Sequence, residues 1–271
     1  MKTCIIIPCW LPKIQSLRDY LHSIGYNEKT AIYIAVSNAY EKNIFENMFQ
    51  KIPNLMFFDV EKYLIDNKFF ISKERLKENC VINLKKFATL HMCLNLGYNY
   101  MLCFDSDTKN LGNIEKLTEQ AITNYNKRVY FGIDTTDNAY LTINYESAKL
   151  SNCNKYLNIY AWFFDIPIYE KQDLKDFFEY FGDFENLAQK LNWHSFDHLV
   201  YMYFLLKTDK AKIINYRNEA QEVPEFLSLY NLEKIKEKYN YFPLWMTKKS
   251  YLESLSLQQK NIVFMLSHVD R

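Results

Sequence analysis

The segment YNYMLCFDSDTKNL, residues 98–111, carries an apolar run straight into two aspartates one residue apart, Asp105 and Asp107. Two carboxylates in one low-dielectric corner repel, and one pKa rises unless a cation relieves them. Asp-x-Asp at the end of a buried strand can aim hard oxygen donors at a divalent cation, with a diphosphate supplying further oxygens. The competing reading is a polar turn, DSDTKN, in which an aspartate caps a helix starting near NIEKL.

The elements around this pair alternate strand and helix. Ile5–Ile7 reads as a buried strand stopped by Pro8, and KIQSLRDYLHSIG as a helix with Ile14, Leu17, Leu21 and Ile24 on one face and Gly25 at its end. TAIYIAVS is a second strand, EKNIFENMFQKI a second helix and NLMFFDV a third strand. NLKKFATLHMCLNLGY repeats the helical formula, with Phe87, Leu90 and Leu94 on one face and Gly97 just past the end, and leads into YMLCFDSD. Near-continuous apolar strands joined by such helices predict a largely parallel sheet covered on both faces. In such sheets ligands bind beyond the carboxyl ends of the strands, where the aspartates fall. Further along, RVYFGID, AKIINY and the tail NIVFMLSHVD read as strands, and DLKDFFEYF, SFDHLVYMYFLL and VPEFLSLYNLEKIKEKY as helices.

Composition removes several alternatives. The five glycines (Gly25, Gly97, Gly112, Gly132, Gly182) are all far apart, so neither a dinucleotide fingerprint nor a P-loop can be built. A diphosphate must then be neutralised differently, and a divalent cation held by carboxylates is the obvious route. The 33 basic and 32 acidic residues leave a formal charge of +1, which gives no global pull toward nucleic acid or an anionic membrane. The six cysteines (Cys4, Cys9, Cys80, Cys93, Cys103, Cys153) show no C-x-x-C pair, and reduced, buried thiols in a cytoplasmic protein are expected. MKTCIIIPCW is broken by Pro8 and Trp10 before a signal-peptide core forms. The longest later apolar run, LVYMYFLL, is far below the roughly 20 residues of a membrane span. With no linker or repeat, residues 1–271 read as one domain, whose nucleotide-binding half is 1–111 and whose second half, 112–271, is continuous with it.

The N-terminal IIIPCW strand, the FDSD after an apolar strand and the chain length resemble the metal-dependent glycosyltransferases of the GT-A fold. The resemblance implies an α/β, Rossmann-like sheet, mostly parallel and flanked by helices, with an elaborated C-terminal acceptor-binding half. It implies transfer of a sugar from a nucleotide diphosphate sugar, UDP-linked in the first instance, to a glycan or glycolipid. It further implies Mn²⁺ or Mg²⁺ held by Asp105 and Asp107, with Ser106 between them at the donor, and a C-terminal histidine, His268, as an additional ligand. Bacterial surface polysaccharide or lipooligosaccharide assembly, a cytoplasmic location and peripheral contact with the inner membrane complete that expectation. NWHSFDHLVYMYFLL is similar to a segment of the retaining blood-group and α-1,3-galactosyl transferases, through Trp193-His194, His198-Leu199 and Tyr203 to Leu206. Where that family carries an Asp-Glu pair after Trp-His, this chain has Ser195 and Phe196, and Asp197 is the nearest carboxylate.

Each remaining candidate has two readings. Asp197 and His194 are the expected catalytic pair, with Asp197 as base or charge stabiliser; alternatively Asp197 is a first-turn acid in a helix capped by Ser195. Lys85 and Lys86 open the helix before the aspartates, a position unfavourable for cations unless an anion such as the donor phosphate is near; otherwise they are solvated surface lysines. Pro8 and Trp10 end the first strand, where Trp10 stacks on a base or packs on the rim. Trp162, in the aromatic run YAWFFDIPIY, and Trp193 are the acceptor-side aromatics, or part of the core. His268 is a ligand or an exposed tail residue, and His22 and His91 read as structural. Two other functions stay open: a haloacid-dehalogenase-type phosphatase, which also uses Asp-x-Asp but expects Thr or Val where Lys109 stands, and an inactive sugar-binding protein on a transferase fold.

Overall fold

The computed structural model describes residues 1–24, 30–50, 52–72, 75, 81–106, 108–110, 114–161, 167–215, 244–248 and 264–268. The chain divides into two compact units that do not follow sequence order. The first comprises Met1–Asp107 and Pro167–Asp197, the second Thr108–Ile166 and His198–Arg271. The first unit thus takes in 31 residues of the later sequence, 167 through 197, and the second begins at Thr108.

In the first unit, β1 (Thr3–Pro8), α1 (Ile14–Ile24), β2 (Ala31–Val36), α2 (Ala39–Met48), β3 (Leu55–Asp59), α3 (Val60–Asp66), α4 (Val81–Asn95) and β4 (Tyr100–Cys103) follow one another. The later chain supplies an edge strand and two helices. Between them come β5 (Thr108–Asn110), α5 (Ile114–Tyr125), β6 (Val129–Asp134), α6 (Asn138–Leu150) and β7 (Ile159–Tyr160) of the second unit. Then β8 (Ile168–Glu170), α7 (Lys171–Tyr180) and α8 (Phe184–Lys190) return to the first, before α9 (Asp197–Lys207), β9 (Lys212–Asn215), β10 (Leu244–Lys248) and β11 (Phe264–His268).

The first unit's sheet runs β3-β2-β1-β4-β8, with β8 antiparallel and the other pairs parallel. The mostly parallel sheet is as expected, because β1 has a neighbour on each side and helices on its faces. Cys4, Ile5, Ile6 and Ile7 are accordingly excluded from solvent without a break. The strand order places a topological switch between β1 and β4: the chain proceeds outward from β1 through β2 to β3, then returns to the other side of β1. Ligand crevices of open α/β sheets form at such points.

Helix α4 departs from the amphipathic expectation. Every residue from Asn83 to Leu90 is buried, both lysines included, because α4 packs against β1, β2 and β4 on one side and α3, α7 and α8 on others. Phe87 stacks on Phe177 with ring centroids 5.5 Å apart. The helix ends as the sequence indicates: Gly97 takes φ +78°, its N–H donating to Leu94 and that of Tyr98 to Cys93, the pairing of a Schellman motif.

His91 is structural in this unit. Its ring stacks on Phe184, meets Phe178 and Phe69 edge-on, and shares a 2.8 Å hydrogen bond between Nδ1 and the Tyr63 hydroxyl. Burial lowers its pKa, against a smaller opposing pull from Asp183. A folded-state value below the unfolded one means stability is complete above the unfolded pKa and falls as pH drops toward the folded value. Thermal melts should therefore lose midpoint as pH falls below the ordinary histidine pKa of about 6.5, and His91→Leu should lose part of that slope. A variant whose melting tracks wild type at every pH would contradict this account.

In the second unit, β6 lies between β7, antiparallel, and β9, parallel, while β11 joins β10 in parallel and β5 in antiparallel register. The whole run Leu199–Leu206 of α9 is at most 2% exposed, so the apolar stretch that resembled a family motif is a core helix. The Ser151 hydroxyl donates to the Val200 carbonyl at 2.7 Å, and the Tyr125 and Tyr201 hydroxyls meet at 2.7 Å. Thr108–Asn110 is a strand, which overturns the reading of DSDTKN as a turn leading directly into a capped helix. The helix expected at VPEFLSLYNLEKIKEKY and the stop at Gly25 lie outside the described residues. Among the described residues no helix is long and apolar enough to cross a membrane. The described cysteines, Cys4, Cys9, Cys93, Cys103 and Cys153, are free thiols and buried.

Candidate active site

Strand β4 runs on past Cys103: the Phe104 N–H donates to the Ile6 carbonyl at 2.9 Å, holding the chain on β1 until Asp105 leaves the sheet. Asp105 thus stands at the carboxyl edge beside the switch point, with about a fifth of its side chain exposed (19%). Its neighbour Ser106 is buried beside the Cys9 thiol.

The charge that faces Asp105 comes from α4. Lys86 Nζ lies 3.1 Å from Asp105 Oδ1 and 2.9 Å from Asp197 Oδ1. The other oxygen of Asp197 accepts from the Tyr169 hydroxyl. Burial alone would lower the Lys86 pKa; the fields of Asp105 and Asp197 outweigh it and hold the ammonium above its ordinary value. Two carboxylates and one ammonium leave this corner one net negative charge, before Asp107 is counted. Sequence reasoning placed a phosphate against Lys86; the chain's own carboxylates fill that place.

Asp197 is fully buried at the first position of α9. A base must present an oxygen to an acceptor hydroxyl, and here the two oxygens face Lys86 and Tyr169, so the expected role of base is replaced by that of an internal counter-ion. Ser195, expected as the helix cap, instead accepts from the Asn192 N–H at 3.0 Å, and the helix opens two residues later. The turn so formed carries His194, partly exposed, with its N–H on Asn192 Oδ1, and leaves Trp193 48% exposed.

Lys85 points elsewhere. Its ammonium donates to the Cys9 carbonyl at 2.6 Å and lies 3.6 Å from Glu41. Burial lowers its pKa, against the opposing charge of Glu41. Both lysines are buried, which removes the reading of solvated surface cations. Pro8 closes β1 opposite Ala35 and is buried, whereas Trp10 is 54% exposed. Cys9 is pushed up to about 11 by burial, so its thiol stays protonated at neutral pH.

The first unit thus gathers Lys86, Asp105 and Asp197, while Lys85 reaches from α4 to the loop that carries Trp10. Asp107 and Trp162 lie outside the described residues, and of His268 only the backbone is described, opposite Thr108 on β5. Among the described residues no three His, Cys, Asp or Glu side chains gather as a metal site. Asp105, a part-exposed carboxylate at a strand end, is by its chemistry a suitable oxygen donor for Mn²⁺ or Mg²⁺. Two residues were missed from sequence. Glu41 carried a signal, the Asn38-x-x-Glu41 capping pattern; Tyr169, one tyrosine in an aromatic-rich stretch, carried none.

No protein-family model and no curated protein sequence matches the chain. Among solved structures, mouse xyloside xylosyltransferase 1 in its apo form aligns with 81% of this chain and 90% of that chain. The identity is 11% and the TM-score 0.47. At that identity and score the likeness bears on neither substrate nor site residues.

Proposed function

We propose that the protein is a glycosyltransferase that uses a nucleotide diphosphate sugar, UDP-linked in the first instance, and a divalent cation. The observation that carries this reading is the position of Asp105 at the carboxyl end of β4, across the β1–β4 switch point from Trp10. A glycine-poor α/β unit that binds a diphosphate there needs a cation on acidic side chains, and Asp105 and Asp107 are the residues offered. Bound there, Mn²⁺ or Mg²⁺ would supply Lewis-acid stabilisation of the departing nucleotide diphosphate.

The chain's own residues do the rest. Lys86 holds Asp105 in place and limits the repulsion between it and Asp197. Trp10 offers an exposed ring to the base, and Trp193 and His194 offer an exposed ring and a ring nitrogen to the sugar or acceptor. Asp197 and Tyr169 act through Lys86 as positioning residues. The acceptor class, a glycan or glycolipid of a bacterial surface, rests on the likeness of residues 193–206 to the galactosyl and blood-group transferases.

Purified protein should release UDP or GDP slowly from a nucleotide sugar in Mn²⁺, and stop on chelation. A thermal-shift panel of nucleotide sugars should show a rise in midpoint only with the metal present. Phosphate release from a simple monoester would favour the phosphatase reading, and the absence of both donor hydrolysis and stabilisation would overturn the proposal.

A further inference from the structure

The loop after β1 is held far more firmly than its exposed tryptophan requires. The Cys9 N–H extends the β1 ladder to the Ala35 carbonyl at 2.9 Å, and the Cys9 carbonyl accepts from Lys85 at 2.6 Å. The Trp10 carbonyl accepts from Lys13 at 2.9 Å, closing a 3-10 turn at Leu11–Lys13 that contains Pro12. The Leu11 N–H approaches Glu41 Oε1 at 3.5 Å. Every residue from Cys9 to Leu11 is thus tied at its backbone, while the Trp10 ring stands more than half exposed.

Glu41 is the node. As the third residue of α2 its N–H donates to Oδ1 of the N-cap Asn38 at 3.1 Å, and its Oε2 accepts at 2.7 Å from the N–H of Ser37, one residue before the cap, a variant of the capping box. That capping arrangement needs no lysine. Lys85 nonetheless extends from the core helix α4 to reach both Glu41 and the Cys9 carbonyl, with its side chain only 4% exposed. Burying a lysine is unfavourable, and both of its recorded partners belong to the two segments that leave the carboxyl ends of β1 and β2. A binding residue held by a buried supporting layer has the construction of a preorganised site.

We infer that Glu41 and Lys85 are positioning residues for a nucleoside diphosphate: they lock Cys9–Leu11 so that the Trp10 indole is a fixed stacking platform for the base. The inference rests on the transferase reading and adds the residues that act on the base rather than on the phosphates. Glu41 and Lys85 need not touch the ligand; they act through the loop.

The test measures binding of UDP, GDP and inorganic pyrophosphate, each with Mn²⁺, to wild type, Lys85→Met, Glu41→Gln and Trp10→Ala by calorimetry. Glu41→Gln keeps the shape of the side chain and removes its charge, and serves should Lys85→Met fail to fold. Base stacking predicts that each variant loses at least about fivefold in affinity for whichever nucleotide wild type binds, with pyrophosphate binding unchanged within about twofold. Because the residues act through one ring, Trp10→Ala combined with Glu41→Gln should lose little more than Trp10→Ala alone. Equal losses for nucleotide and pyrophosphate, nucleotide affinity unchanged in Glu41→Gln, or additive losses in the double variant would each overturn the inference while leaving the transferase reading standing. Wild type that binds neither UDP nor GDP would overturn both.

Discussion

Replacing Lys86 with Met should destabilise the fold by about 3–5 kcal/mol, the usual loss when one partner of a buried ion pair is removed. The reason is the charge left behind. Asp197 is wholly excluded from solvent, and its Oδ1 depends on the Lys86 ammonium 2.9 Å away. Without that ammonium the buried carboxylate loses its counter-charge, which the neutral hydroxyl of Tyr169 does not replace, unless it takes up a proton. Removing both charges together, in Lys86→Met with Asp197→Asn, should recover much of the loss, since a neutral pair leaves no uncompensated ion. The pH dependence has a definite sign. Lys86 is held above its ordinary value, so the pair's contribution is complete below the unfolded lysine pKa of about 10.4 and is lost only as pH rises through the higher folded value. Urea melts at pH 7 and pH 9 should therefore show the same gap between wild type and Lys86→Met. A single variant as stable as wild type, or a double variant worse than the single, would show that the pair does not hold this corner together.

How far the sequence anticipated this corner depends on which link is considered. The parallel strands were legible because a strand buried on both faces must be apolar throughout, and Ile5–Ile7 and Met101–Cys103 have no other stable placement. The end of α4 was legible because a residue past a helix at positive φ is best served by Gly97. The lysines of α4 were misread for a physical reason: local pattern assigns Lys to solvent, and what buries Lys85 and Lys86 is contact with Glu41, Asp105 and Asp197, lying 44, 19 and 111 positions away from the lysine each one faces. The same holds for the return of Pro167–Asp197 to the first unit, which depends on β8 pairing antiparallel with β4, a register no local spacing encodes. Asp105 was found because it sits directly after an apolar strand. Its partner Lys86 was singled out because its position called for an anion, and Asp105 and Asp197 are anions the structure places beside it.

Asp105→Asn should separate the chemistry from the fold. Asparagine has the shape of aspartate and keeps an oxygen for Lys86, and Asp197 still neutralises that lysine, so the melt should move by no more than about 1 kcal/mol, the scale of a part-exposed pair. Mn²⁺-dependent donor hydrolysis should fall by about 10²- to 10³-fold, because metal stabilisation of a leaving diphosphate amounts to several kcal/mol at about 1.36 kcal/mol per decade of rate. Lys86→Met should give the opposite pattern in part, a large loss of stability with Asp105 still charged. The pair of variants therefore asks whether Asp105 belongs to the fold or to the reaction. If Asp105→Asn were unstable yet fully active per folded molecule, Asp105 would be a structural counter-ion to Lys86, and the carboxylate pair would no longer explain how a chain without a glycine cradle binds a diphosphate. If it were stable and inactive, with pyrophosphate affinity in Mn²⁺ lost as well, the single net negative charge at the β1–β4 edge would be identified as the seat of the cation.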